Sequence, residues 1–280
     1  MIYICRMNTI APSVTLVQSE KPDPRLQPFV SRYVFRNIFF PKDHCVQKAM
    51  PMRISSSIDF FIGDRFETID CHTGRLVPFE RTAIRGLRTQ RLYNIRLSGH
   101  FISFSIKFRF TGLYRLTGVS MHHLTDHSLP GNYLHQLPLQ HLVRKLMYRE
   151  NLSDCIKIVE PYLLFLSKKS SFNTPTVEEA ARQLTEEQSS FSIAQLATEN
   201  HLSLRQLERD FLREVGVSPK KLSRMLRFDR LIRSRMNTSF TKWSALAYEF
   251  GYYDQMHLIR DFRKFLDITP SAFSPVDFAL

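Results

Sequence analysis

"LERDFLREVGVSPKKL" occupies residues 207–222, and "LIRDFRKFLDITPSAF" occupies residues 258–273. Both write Leu, then Arg-Asp-Phe, then a β-branched residue, then Ser or Thr before Pro (Pro219 and Pro270), at equal offsets. The offset of 51 pairs Ser203 with Asp254, Leu207 with Leu258, Arg209 with Arg260, Phe211 with Phe262, and Val217 with Ile268. Upstream the offset is 50, pairing Ile193 with Trp243, Leu196 with Leu246 and Ala197 with Ala247. The turn between the paired segments is therefore one residue longer in the second copy. Leu207 and Phe211 are four apart, as are Leu258 and Phe262, which is the spacing of one helix face. Ser203 and Asp254 stand where a side-chain oxygen caps a helix, and Gly216 stands where a helix stops. A shorter apolar segment precedes each, at 192–199 and 242–250. Each copy thus reads as short helix, tight turn, capped longer helix, a helix-turn-helix unit. The small Ala197 and Ala247 suit a close crossing of helices. Gly251 takes the positive φ that such a turn needs, and His201 holds that place in the first copy.

The faces opposite the apolar ones carry a second pattern. On the helix from Ser203, Leu204, Leu207 and Phe211 are expected inward, with Arg205, Gln206 and Arg209 outward. On the helix from Asp254, Leu258, Phe262 and Phe265 are expected inward, with Gln255, Met256, His257 and Arg260 outward. Arg, Gln and His near a helix N-terminus match the donors and acceptors of base edges in a major groove. These seven are the candidate base contacts. Between the copies, "SPKKLSRMLRFDRLIRSRM" (218–236) reads as one long helix with Pro219 at its first position. Lys220, Lys221, Arg224 and Arg227, with Ser203, are the candidate phosphate contacts. The acidic Glu178, Glu179, Glu186 and Glu187 are expected to sit away from DNA.

Residues 175–276, through "IAQLATENHLSLRQLERDFLREVGVSPKKL" and "ALAYEFGYYDQMHLIRDFRKFLDITPSAF", resemble the DNA-binding domain of the AraC/XylS family of bacterial transcription regulators. The second segment carries the more specific signature, Ala-x-x-x-Gly-aromatic, then Gln, then Arg-x-Phe, then Thr-Pro. His201, in place of a small turn residue, and Asp267, in place of Gly before Ile-Thr-Pro, depart from the pattern. The resemblance implies two subdomains joined by one long helix, with the recognition helices in successive major grooves on one face of DNA. Pro219 to Met236 would span about 27 Å at 1.5 Å per residue, in keeping with that spacing.

The first half has a different grammar. "HFISFSIKFRF" (100–110) alternates, with Ile102, Phe104, Ile106, Phe108 and Phe110 on one side and Ser103, Ser105, Lys107 and Arg109 on the other, the period of a half-buried strand. "SSIDFFIGDRFETIDCHTG" (56–74) reads as two strands joined at Gly63-Asp64, and 81–99 continues in that style. Segments 137–150 and 152–170 turn helical. "SKKSSFNTPT" (167–176) marks a boundary, dividing the chain into residues 1–171 and 172–280. The fold class is α+β: a β-rich N-terminal domain ending in helices, then an all-α C-terminal domain with two helix-turn-helix units. "MPMRISSSIDFFIG" and "KFRFTGLYRLTGVSMHHLTD" resemble the small β-rich domains attached to such regulators, which implies a ligand-sensing or dimerising role. The partners expected are double-stranded DNA at a promoter or operator, RNA polymerase, a small-molecule effector and a second copy of the chain.

Charge alone would mislead. The formal net charge is +13, which suits a polyanionic partner. Yet residues 172–280 hold 15 Lys and Arg against 14 Asp and Glu, whereas residues 1–171 hold 24 against 12. A DNA-packaging protein would spread its surplus over the helical half, so the near-neutral half favours placed charges and sequence-specific reading. The surplus at Arg81, Arg85, Arg88, Arg91 and Arg96 reads as a solvated basic surface, with an anionic-effector pocket or contact to flanking DNA as the sharper alternatives.

Little points to catalysis. His122, His123, His127 and His135 lie near one another, with His123 and His127 four apart on an expected helix, but no Cys or carboxylate completes a metal set. Cys5, Cys45, Cys71 and Cys155 are scattered, with no C-x-x-C pair. No nucleotide-binding or hydrolase motif occurs, so no catalytic residue, metal or cofactor is assigned, and an enzyme in the N-terminal half is the alternative reading. Asp59 reads as a core polar contact. No segment reaches the ~18 apolar residues of a membrane span, and the start lacks a signal peptide's features, so the expected location is the cytoplasm.

Overall fold

The computed structural model describes residues 14–41, 45–170, 175–186, 192–237 and 242–277. The chain is α+β, with a β-rich first half and a helical second half. Cys5, Glu187 and the 171/172 boundary lie outside the described residues.

Two antiparallel sheets form the first half. One contains, in order, β1 (Val14–Glu20), β2 (Val30–Phe40), β9 (Gly99–Phe108), β4 (Ser57–Phe61), β7 (Thr82–Arg85) and β10 (Ser128–Pro130). The other contains β3 (Val46–Met50), β8 (Tyr93–Leu97), β5 (Glu67–Asp70) and β6 (Leu76–Val77). Segment 56–74 does supply two strands, but they do not pair. β4 lies in the first sheet and β5 in the second, so the Gly63-Asp64 turn is a crossing between sheets rather than a hairpin.

β9 alternates as expected, but both its faces are covered. Phe104, Ile106 and Phe108 enter the core beneath α1 (Gly112–Thr117), α2 (Leu139–Leu146) and α3 (Leu152–Lys169), together with Phe35, Phe60, Leu142 and Val159. The other face carries Ser103 and Ser105, each only 2–3% exposed. A strand of this pattern would be half-buried in a single sheet; here the second sheet closes over its polar side. Between the sheets an aromatic cluster holds Phe61 and Phe101, with Phe66 and Phe79 packed against it.

In the second half, α4 (Pro175–Glu186) is followed by α5 (Ile193–Glu199), α6 (Leu204–Glu214), α7 (Pro219–Asn237), α8 (Trp243–Glu249) and α9 (Gln255–Leu266). Local chemistry sets the ends. Ser192 and Gln195 form a capping box on α5, Ser203 Oγ accepts from Gln206 N–H at 3.2 Å, and an Asp254 carboxylate oxygen accepts from His257 N–H at 2.6 Å. His201 and Gly251 hold φ of +54° and +69° at matching turns. The core joins Leu207, Phe211, Phe228, Leu258, Phe262 and Phe265. Leu204 departs from expectation. It shares the apolar stripe but is 47% exposed, because at the first residue of α6 the stripe has run past the core.

The halves are packed together. Leu87 belongs to the helical core, with Met52, Ile54 and Phe110 against it. Thr111 N–H and Oγ1–H donate to Glu178 at 2.8 and 2.9 Å, Thr125 Oγ1–H donates to the Gly216 carbonyl at 2.7 Å, and Met52 N–H donates to the Phe265 carbonyl at 3.3 Å. Glu178 is therefore an interdomain tie, while Glu179 and Glu186 both pair with Arg182.

Candidate nucleic-acid interface and the cavity behind it

The two capped helices, α6 and α9, present matching exposed faces. Arg205, Gln206 and Arg209 on α6 and Gln255, Met256 and Arg260 on α9 are exposed, opposite residues that are fully buried. Arg209 and Arg260, equivalent in the repeat, each precede a buried carboxylate, Asp210 and Asp261. The Arg-Asp-Phe triplet thus splits its functions by angle: Arg to solvent, Asp and Phe inward. His257 is the exception among the base candidates. Its ring is half-buried and lies edge-on to Tyr252, with centroids 5.3 Å apart.

The expected phosphate contacts separate into two groups. Ser203 and Lys220 are exposed, and Lys221 is half-buried, with burial lowering its pKa. Arg224 and Arg227 are each engaged within the domain. Arg224 Nε donates to Asp261 at 2.5 Å and its guanidinium lies over the Phe265 ring. Arg227 donates to the Gly251 carbonyl at 3.2 Å and stacks over Tyr252 at 4.5 Å. Tyr252 Oη–H donates to the other oxygen of Asp261 at 3.0 Å. These bonds fasten the long helix to the turn and recognition helix of the second copy. A buried carboxylate needs such partners, and helical spacing along α7 alone could not reveal them. Tyr253, immediately before the α9 cap, is 95% exposed.

The N-terminal domain touches the C-terminal end of each recognition helix. Arg213 of α6 lies over the Tyr114 ring at 5.6 Å, Gly216 just beyond α6 receives Thr125, and Phe265 near the end of α9 receives Met52. The outward faces at the N-terminal ends of α6 and α9 stay uncovered.

Behind these contacts, between the two sheets, lies a cavity of about 220 Å3. Its polar part is lined by Arg36, Arg53, Arg85, Arg88 and Lys107, with Asp59 as the one carboxylate. Register explains the gathering. Arg36 lies opposite Ser103, Asp59 opposite Ser105, and Ser57 is shared by Lys107 and Arg85 as partner. Asp59, 3% exposed, meets Arg85 at 3.2 Å, Lys107 at 3.4 Å and Arg53 at 3.9 Å, and accepts from Ser57 at 2.9 Å. Burial alone would raise its pKa, but these cations hold it well below the usual carboxylate range. Burial also lowers Lys107 to about 8 and Arg53 to about 10, with repulsion from neighbouring arginines acting the same way.

The solvated basic surface expected at 81–96 is thereby corrected. Arg85 and Arg88 line the cavity, Arg81 donates to the carbonyls of Phe61 and Gly63, Arg91 donates to Asn94, and only Arg96 makes an exposed pair, with Glu67. The histidine group gathers no metal set: among the described residues no cluster of three or more His, Cys, Asp or Glu could hold an ion. The short helix at Met121–Leu124 ends before His127, so His123 and His127 do not share a helical face.

Two capped helices of one repeat, each outward-facing in Arg and Gln and joined by a single long helix, define a double helix-turn-helix DNA-binding domain. Residues 196–274 match the family described as helix-turn-helix domain, and this domain is of the AraC type, the DNA-binding part of a transcription regulator. Residues 18–130 match a family described as a domain of unknown function, DUF6597. No curated protein matches the chain. Among solved structures, the chain is similar to ToxT from Vibrio cholerae O395, at 14% identity and a TM-score of 0.44, covering 88% of this chain and 96% of that one. It is also similar to unsaturated fatty acid bound wild-type ToxT from Vibrio cholerae, at 12% identity and a TM-score of 0.42, covering 94% and 95%. The AraC-like transcriptional activator CuxR is a more distant likeness, at 15% identity and a TM-score of 0.30, covering 78% and 86%. No described helix is long and apolar enough to cross a membrane.

Proposed function

We propose that the chain is a sequence-specific transcription regulator in which α6 and α9 enter successive major grooves and the N-terminal domain is the regulatory half. The observation that carries this reading is the matched exposure of Arg205, Gln206 and Arg209 on one helix and Gln255, Met256 and Arg260 on the other. Each set lies on the outer face of a helix whose inner face is fixed in one core, so the two readers are held by a common frame. Arg in such a place pairs with guanine O6 and N7 or grips a phosphate. Lys220, exposed at the start of α7, has the character of a backbone contact, and the free N–H groups at the start of α6 add another. Arg224 and Arg227 act instead as internal ties of the second unit. The N-terminal domain reaches the back of both readers, through Thr125 and Met52, which is where a regulatory domain must act to change their setting.

Selection of the full chain on a random DNA library, followed by a panel of single base-pair changes, tests the proposal. Arg205→Ala is expected to weaken the best site by roughly 1–3 kcal/mol and relax preference within one half-site. Lys220→Ala is expected to weaken all sequences alike and reduce the salt slope by about one. The same uniform loss from both variants would remove α6 as a reading helix.

A further inference from the structure

The cavity between the sheets is built from charges that do not balance. Five cations face one carboxylate, and Asp59 already serves three of them. The Arg36 side chain makes no hydrogen bond or ion pair among the described residues. The Nε atoms of Arg53 and Arg85 are buried without a hydrogen-bond acceptor. Buried cations without partners are costly unless something supplies negative charge.

The lining is also graded. Along β9, Phe101, Ser103, Ser105 and Lys107 share one face, so the wall runs from aromatic to cationic. On β4, Phe61 lies toward the aromatic end and the carboxylate of Asp59 toward the cationic one. The aromatic end is closed by Phe66, with Ile95 and Met50 from the second sheet. An engineered cavity of about 150 Å3 holds one benzene. By that scale, about 220 Å3 takes roughly nine or ten non-hydrogen atoms.

A two-stranded strap separates this cavity from the DNA-binding domain. Arg53 and Arg88 are bridged, N–H to carbonyl in both directions at 2.8 and 2.9 Å. Successive side chains of an extended strand point to opposite faces. Arg53 and Arg88 accordingly line the cavity and Ile54 and Leu87 pack into the helical core, while Met52 touches both. Met52 N–H reaches the Phe265 carbonyl of α9, and Thr89, beside Arg88, holds Asp126 through its N–H and Oγ1–H at 2.6 Å each.

We infer that the cavity binds a small amphipathic anion, a carboxylate or phosphate head on a compact apolar group, and that the strap of residues 51–54 and 86–89 transmits its binding to α9. The inference rests on reading the N-terminal domain as the regulatory half. The head lies among Arg36, Arg53, Arg85 and Lys107, and the apolar group lies against Phe61, Phe66 and Phe101. Neutralising the cationic end draws Arg53 and Arg88 toward the ligand, and their bridged backbones carry that shift to Met52 and Leu87.

Calorimetry and thermal melting of the full chain with four probes test the site. Phenylacetate and phenyl phosphate supply both parts and differ in head group, phenylacetamide lacks the charge, and acetate lacks the apolar group. At least one of the two amphipathic anions is expected to bind and raise the melting temperature, and which of them binds tighter identifies the head. Phenylacetamide and acetate are expected to have at least tenfold weaker effects. Arg36→Gln removes a cation that holds no fold contact, so the unliganded variant is expected to melt no lower than the parent and to bind the anion about tenfold more weakly. Lys107→Met, which also takes one partner from Asp59, is expected to weaken anion binding by a similar factor. Absence of binding by both amphipathic anions, equal binding of phenylacetamide or acetate, or parental affinity in both variants would overturn the site. The relay is read from DNA affinity with and without the bound probe. A change in the parent that disappears in Met52→Ala while calorimetric binding of the probe is retained supports it, and no change in the parent overturns it. Failure of the unliganded chain to select any DNA sequence would defeat the proposed function while leaving the calorimetric result intact.

Discussion

Asp261 shows how far one residue's role can lie from its apparent one. In the repeat it sits beside an exposed Arg, yet it is fully buried between Arg224 and Tyr252. Asp261→Asn keeps a hydrogen-bonding side chain but leaves a half-buried guanidinium without its counter-charge. Breaking such a pair costs several kcal/mol when fully buried, and with Arg224 32% exposed about 2 kcal/mol is expected, measured by urea unfolding. Lys107 offers a test by pH. Its folded pKa near 8 lies below the ordinary 10.5, so the folded state loses its proton first. The unfolded chain binds more protons between these values, and stability rises with pH through that window, by up to about 3 kcal/mol. The penalty is fully present below about pH 8. Lys107→Met removes this rise, and the difference between the two proteins across the window checks it. The buried Tyr33 and Tyr252 and the Cys155 thiol, pushed up to about 12, slope the other way, but they are common to both proteins and cancel.

At the scale of elements, the two turns are a natural pair of experiments. His201 holds a left-handed conformation that costs a side-chain residue about 1 kcal/mol, and Gly251 holds the same conformation without that cost. His201→Gly is expected to stabilise by up to about 0.5 kcal/mol, since part of the gain is lost to the freer unfolded chain. Gly251→Ala is expected to destabilise by about 1 kcal/mol through backbone strain alone, because a Cβ there meets nothing within 4 Å. Opposite signs at equivalent positions in thermal melts would establish the repeat as a thermodynamic one. The caps behave alike: Asp254→Ala removes the acceptor of His257 N–H and is expected to cost about 1 kcal/mol.

For the whole molecule, the interface between the halves is the consequential feature. Leu87 is a residue of the first half buried in the core of the second, 1% exposed. Leu87→Ala is expected to cost about 2–4 kcal/mol and to lower the melting of the helical half of the full chain. The fragment 172–280 lacks Leu87, Met52 and Ile54 altogether, so it is expected to melt below the same half in the full chain. Equal melting of fragment and full chain, followed by circular dichroism, would mean that the contacts add nothing.

The repeat, its caps, the left-handed turn at His201 and the outward Arg and Gln residues were legible in the sequence. All depend on interactions within a few residues, where helical period and capping chemistry act directly. The α+β division was legible for the same reason, through the change from period two to period 3.6. Three things were settled only in three dimensions. Ser103, Ser105 and Lys107 alternate as a solvent face would, and only the closing of the second sheet makes that face a cavity wall. Arg85 and Arg88 have the composition of a basic surface, and only antiparallel pairing brings Arg85 to Asp59 and Arg88 to Arg53. Arg224 and Arg227 keep the spacing of a phosphate-binding stripe, and only the packing of α7 on the second unit gives them Asp261 and Gly251. In each case the deciding partner is more than twenty residues away in the chain, and a side chain's local period carries no record of what the tertiary fold will set against it.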